Sequence, residues 1–184
     1  MKFFNSALLT VLISAVVPLA SAADSSIENH LGYVDFSQLT SIANVEPTVE
    51  ISLKAPLLNM VTNLIRSEDE EAAAFISKLF RVTVNVFESE SIDVSAISAS
   101  MNQTAQELDS AGWDRVVRVR EDEDHVDIYF RLGDDADRIH GIAIMVAEPE
   151  NIVLVNIVGD ISTEDISALG RRFDIAELSD IDID

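Results

Sequence analysis

Between Trp113 and Asp160, four runs separated by short polar links place apolar residues at alternate positions, and this period of two constrains the fold more than any other feature of the chain. Trp113, Arg115, Val117 and Val119 alternate with Val116, Arg118 and Arg120. After the acidic link around Asp122–His125, Val126, Ile128, Phe130 and Leu132 alternate with Asp127, Tyr129 and Arg131. Two further runs, 139–147 and 152–158, are joined by a tight "EPEN" turn. Four strands this close in sequence predict an antiparallel meander. The last two are apolar at both parities, so both faces of the sheet are expected to carry apolar contacts. One face is expected to hold the helices, and the other to meet a partner or a second subunit.

The preceding segments add strands and helices. "TVEISLK" (48–54) and "RVTVNVFE" (81–88) alternate as half-buried strands. Pro56 suits a first helical turn, with Leu57, Val61, Leu64 and Ile65 on one stripe. A second helix is expected behind a Ser67–Glu70 capping box. A third is expected over about 101–111, capped by Ser100 and Gln103 and ended by Gly112. Ser162 and Asp165 predict another capping box, opening a helix over 163–169. Residues 23–32 read as a loose leader, "YVDFSQL" (33–39) as a short strand, and the end of the chain as an acidic tail. The expected fold is α+β: a mainly antiparallel sheet with helices packed on one face and a C-terminal four-stranded meander.

Met1-Lys2, the apolar stretch 7–19 and "ASA" at Ala20–Ala22 form a secretory signal peptide pattern over residues 1–22. Residues 23–184 then form a single domain, expected in a bacterial periplasm or, alternatively, secreted outside the cell. No integral membrane segment is expected after signal cleavage. The chain has no cysteine, so disulfides, thiol chemistry and a lipidated cysteine are excluded. Its 33 acidic and 12 basic residues give a net charge of −21. That sign opposes nucleic acid and anionic lipid head groups as partners.

The acidic link invites a metal-site reading, with Asp122, Asp124 and Asp127 as candidate oxygen ligands. Neither this run nor Asp134, Asp135 and Asp137 has EF-hand spacing, and the simpler reading is a solvated hairpin turn. His30, His125 and His140 are far apart and lack zinc-site spacing. No nucleophile elbow, phosphate loop or dinucleotide motif occurs, so no catalytic residue or cofactor is assigned. Positive charge concentrates on the predicted hairpin at Arg115, Arg118, Arg120 and Arg131. Arg118 and Arg120 share a face and are expected to pair across to Asp127. A candidate interaction set follows: Arg118, Arg120, Tyr129, Arg131 and His140.

"GWDRVVRVRE", "VDIYFR", "IHGIAIMVAEPENIVLVNIVGDIS" and the "EDISAL" helix start together resemble the DUF4252 family. The resemblance implies an exported or envelope-associated bacterial protein, lipid-anchored in some members and encoded in some cases near sigma-factor regulatory genes. It carries packing and turn signatures and no active residues. The expected function is a non-enzymatic protein-binding or regulatory module whose partner is an envelope protein or the chain itself. The alternatives are an acidic divalent-cation binder, or an unrecognised hydrolase or small-ligand enzyme with His140 or Glu50 beside an arginine.

Overall fold

The computed structural model describes residues 27–43, 46–88, 93–121, 124–134, 137–149 and 151–172. The expected signal peptide (1–22), Asp122, Asp135 and the expected acidic tail lie outside these residues. Six strands form one open antiparallel sheet: β1 (Val49–Lys54), β2 (Leu79–Glu88), β3 (Asp114–Glu121), β4 (Asp124–Leu132), β5 (Arg138–Ala147) and β6 (Asn151–Ser162). Their spatial order is β1-β2-β6-β5-β4-β3. The expected meander is therefore present as β3-β4-β5-β6, and the β1-β2 hairpin extends it by pairing β2 with β6. The helices are α1 (Ser37–Ala43), α2 (Ala55–Ile65), α3 (Glu70–Ser77), α4 (Val94–Ser110) and α5 (Thr163–Arg172).

On the first face of the sheet, Phe87, Tyr129, Ala143, Met145, Ala147, Ile152 and Leu154 are buried under α4 and the N-terminal segment. The long helix presents Ile97, Met101, Ala105 and Leu108 to them, a spacing that places all four on one side. It begins at Val94, seven residues before the predicted start, because Asp93 caps it by accepting from the Ala96 N–H at 3.1 Å. Ser98, Ser100 and Thr104 are buried within it, so its polar composition masked the apolar stripe. Gly112, at φ +79°, ends the helix as expected, and the Trp113 N–H bonds back to the Leu108 carbonyl.

Residues 33–39, expected as a short strand, form none, and Ser37–Leu39 open α1. Residues 30–36 instead cross the first face as a strap leading into α1. Asn156, 2% exposed in the middle of β6, holds it on both sides. Its Oδ1 accepts from the Val34 N–H at 3.1 Å, and its Nδ2 donates to the Gly32 carbonyl at 2.9 Å. Val34, Phe36 and Leu39 then enter the core. Two glycines let the strap lie this close. A Cβ at Gly32 would sit 1.8 Å from the His140 carbonyl oxygen, and one at Gly141 would sit 2.4 Å from the Gly32 Cα.

The second face carries helices at one end as well, where α2, α3 and α5 bring Leu58, Phe75, Ile76 and Ile166 against Leu79, Phe130, Ile139, Ile142 and Ile161. Asp69 rather than Ser67 caps α3, accepting from the Ala72 N–H at 2.9 Å. The capping box expected at α5 is present. The Ser162 N–H donates to Asp165 Oδ2 at 2.8 Å, and the Asp165 N–H donates to Ser162 Oγ at 3.3 Å. Burial pushes the Asp165 carboxyl up, but the Lys78 ammonium and the Ser162 donors outweigh it and hold it below the usual carboxylate range.

Candidate functional site

The predicted arginine hairpin is a buried carboxylate surrounded by guanidinium groups. Asp127 is fully buried on the first face of β4. Arg118, its cross-strand partner in β3, donates from Nε to Oδ1 at 3.2 Å. Arg120 donates from Nη2 to Oδ2 at 2.5 Å. A bulge in β3 between Arg115 and Val117 reverses the alternation and brings Arg115 onto this face too. Its Nε donates to the Tyr129 hydroxyl at 2.6 Å and lies 3.9 Å from Asp127 Oδ1. Its Nη2 donates to Asp109 on α4 at 2.8 Å, tying the helix to the sheet. Burial raises the Tyr129 hydroxyl above its ordinary value, partly offset by the Arg115 hydrogen bond. Burial works against the charged Arg115, but Tyr129 and the two aspartates outweigh it and raise its value.

Of the predicted interaction residues, Arg118, Arg120 and Tyr129 therefore meet around Asp127. Arg131 lies apart, donating to the Gly112 carbonyl at 2.9 Å and closing the end of α4. His140 is elsewhere again, with its ring 5.8 Å from that of His30 at the start of the strap. The cation reading is not assembled. Asp124 and Asp127 differ in parity along β4 and point to opposite faces, and both oxygens of Asp127 accept from arginines. Among the described residues no group of three or more His, Asp and Glu side chains could hold a metal ion. Beside the strap, a cleft of about 240 Å³ is lined by Tyr33, Asp35, Arg81, Thr83, Asn85 and Asn156 among others. Glu50 lies on exposed β1, one strand away from this cleft's Asn85, and no histidine lines it.

The second face holds what single-strand reading did not resolve. Strand register aligns Val49, Val86, Val153, Val146, Val126 and Val119 in one row across all six strands. The next row is Ile51, Val84, Val155, Ile144, Ile128 and Val117. All twelve residues are β-branched and aliphatic; Val49, Ile51, Val117 and Val119 are exposed, and the other eight are half-buried, Ile128 and Ile144 of them against the helix-covered core. Their first-face neighbours Phe87, Ile152, Met145 and Tyr129 are at most 1% exposed. At the observed strand count the rows run roughly 24 Å across the sheet at about 4.8 Å per strand. No charged side chain interrupts them. The sequence signal was the valine at alternate positions of every strand. Only the register shows that they coincide.

A family match decides the relationship. The domain of unknown function DUF4252 matches residues 44–169, well over half of the chain. The chain belongs to the DUF4252 family. The match takes in the whole sheet and leaves the strap outside it. No curated protein and no solved structure matches the chain. Among the described residues no helix is long and apolar enough to cross a membrane.

Proposed function

We propose that this DUF4252 protein is an exported, non-enzymatic binding module of the bacterial envelope, acting in the periplasm. Its work is to hold another envelope protein through the aliphatic rows on the second sheet face. The observation that carries this reading is the twelve-residue β-branched surface, in which no residue is fully buried, opposite a first face whose central strands carry the buried core. A contiguous, charge-free apolar patch on an acidic protein is costly in water and marks an interaction site. The signal peptide pattern supports the compartment, and the absence of catalytic motifs from the sequence supports a binding role.

The test is site-specific photo-crosslinking in the native host. A photoreactive residue is placed at Val84 or Val119 in the rows, and at exposed Asn102 on α4 as the comparator. The same heavier adduct should form from both row positions and not from Asn102. Equal labelling from Asn102, or no adduct from either row position, overturns the reading.

A further inference from the structure

The two edges of the sheet are built differently. The β3 edge carries a bulge and three arginines, features that discourage another strand from pairing there. The β1 edge has no bulge or proline, and among the described residues the only strand its backbone ladder, V-E-I-S-L-K, pairs with is β2. Val49 and Ile51 on it are 43% and 39% exposed. Its sequence is also self-complementary. When a second β1 is laid antiparallel with Ser52 opposite Ser52, Glu50 falls opposite Lys54 in both directions. Ile51 then falls opposite Leu53 on the other face. Each pair matches charge with opposite charge or apolar with apolar, as stable cross-strand neighbours require.

We infer that β1 is a homodimer edge, pairing antiparallel with β1 of a second copy about a two-fold axis through Ser52. The product is a continuous twelve-stranded sheet. The two-fold axis is normal to the sheet, so both aliphatic faces lie on the same side. The pairing removes the exposed edge and covers both copies of Ile51. It is independent of the partner-binding reading, because the β1 edge can pair whether or not the aliphatic rows hold another protein.

Charge reversal tests it with a built-in control. Purified wild type should show twice the chain mass by light scattering across a dilution series. Glu50→Lys sets lysine against lysine, and Lys54→Glu sets glutamate against glutamate, so each variant alone should be monomeric. Mixing the two variants places a lysine opposite a glutamate at both facing pairs of the edge, and the dimer mass should return. Disulfide trapping fixes the register in a chain that has no other cysteine. Directly opposed residues in an antiparallel pair have Cα atoms about 4.5–5.5 Å apart, within disulfide reach. Ser52→Cys should therefore oxidise to a covalent dimer. Glu50→Cys should not, because the two copies of residue 50 are offset by roughly 13 Å along the strand. A wild type that stays monomeric overturns the inference. So do single reversals that remain dimeric, a mixture that stays monomeric, or equal trapping at positions 50 and 52.

Discussion

Asp127 is the residue on which the β3-β4 hairpin turns. Its side chain is fully buried, while the arginines that hold it are 22–44% exposed at their side chains. The two sides of the cluster therefore respond unequally to mutation. Removing Arg118 leaves Arg120 bonded to the carboxylate and lets solvent fill the vacated position. That resembles losing a surface ion pair, worth up to about 1 kcal/mol. Asp127→Asn keeps the shape but removes the charge that three guanidiniums converge on. Breaking a buried pair from its buried side costs about 3–5 kcal/mol, and access of the arginine heads to water keeps the loss here near the lower figure. In urea unfolding, Asp127→Asn should lower the midpoint several times more than Arg118→Ala, with the slope unchanged. Comparable midpoints would mean that the cluster is a set of separable surface pairs.

At the scale of elements, the strap is the part whose attachment depends on a titratable group. The Gly32 N–H donates to His30 Nδ1 at 3.1 Å, so the bonded imidazole is neutral with its proton on Nε2. Burial, then the nearby His140, lower the His30 value, while Asp160 on β6 raises it less. Asp160 is itself paired with Arg138 at 3.0 Å, and Phe80 meets the His30 ring edge-on. Because the docked value lies below the undocked value of about 6.5, docking stability is fully present above that pH. It is lost as pH falls toward the docked value, where protonation removes the acceptor for Gly32. Hydrogen exchange should therefore show the amides of 31–36 less protected at acid pH, after correction for intrinsic rates. The sheet amides should keep their protection. His30→Asn, which keeps an acceptor and does not titrate, should abolish the difference. A strap equally protected at both pH values would show that Asn156 alone holds it. The contrast with the rest of the fold explains what was legible in the sequence. Period-two alternation marked the strands, and Gly112 and the Ser162–Asp165 box marked helix ends, because these are local signals. The strap depends on Asn156, 124 positions from Gly32, and on two glycines touching across the sheet. No local pattern encodes that contact. The Arg118–Asp127 pairing was legible from hairpin geometry. Arg115 was not, because a one-residue bulge moved it to the opposite face.

For the whole molecule the dominant quantity is charge. With 12 basic residues against 33 acidic ones, carboxylates outnumber basic groups by 21. The ion pairs seen join different elements, such as Lys78 to Asp165 and Arg115 to Asp109, so salt weakens some favourable contacts. The acidic excess is larger, and its repulsion acts in the compact state more than in the expanded one. Screening falls within about 10 Å at 0.1 M salt, which is shorter than the separation of most surface carboxylates on a domain this size. The aliphatic rows press in the same direction, because they gather apolar surface where the acidic shell is interrupted. Added sodium chloride should therefore stabilise the fold. A gain of about 1 kcal/mol corresponds to a rise of roughly 0.5 M in the urea midpoint at a slope of about 2 kcal/mol/M. The measurement is run on the monomeric Lys54→Glu chain as well as on wild type, so that a salt effect on association is separated from one on folding. The monomer, more acidic by two charges, should show the steeper salt dependence. A midpoint that falls with salt in both chains would mean that the ion pairs outweigh the net repulsion, and that the acidic surface is neutralised locally rather than carried as an excess.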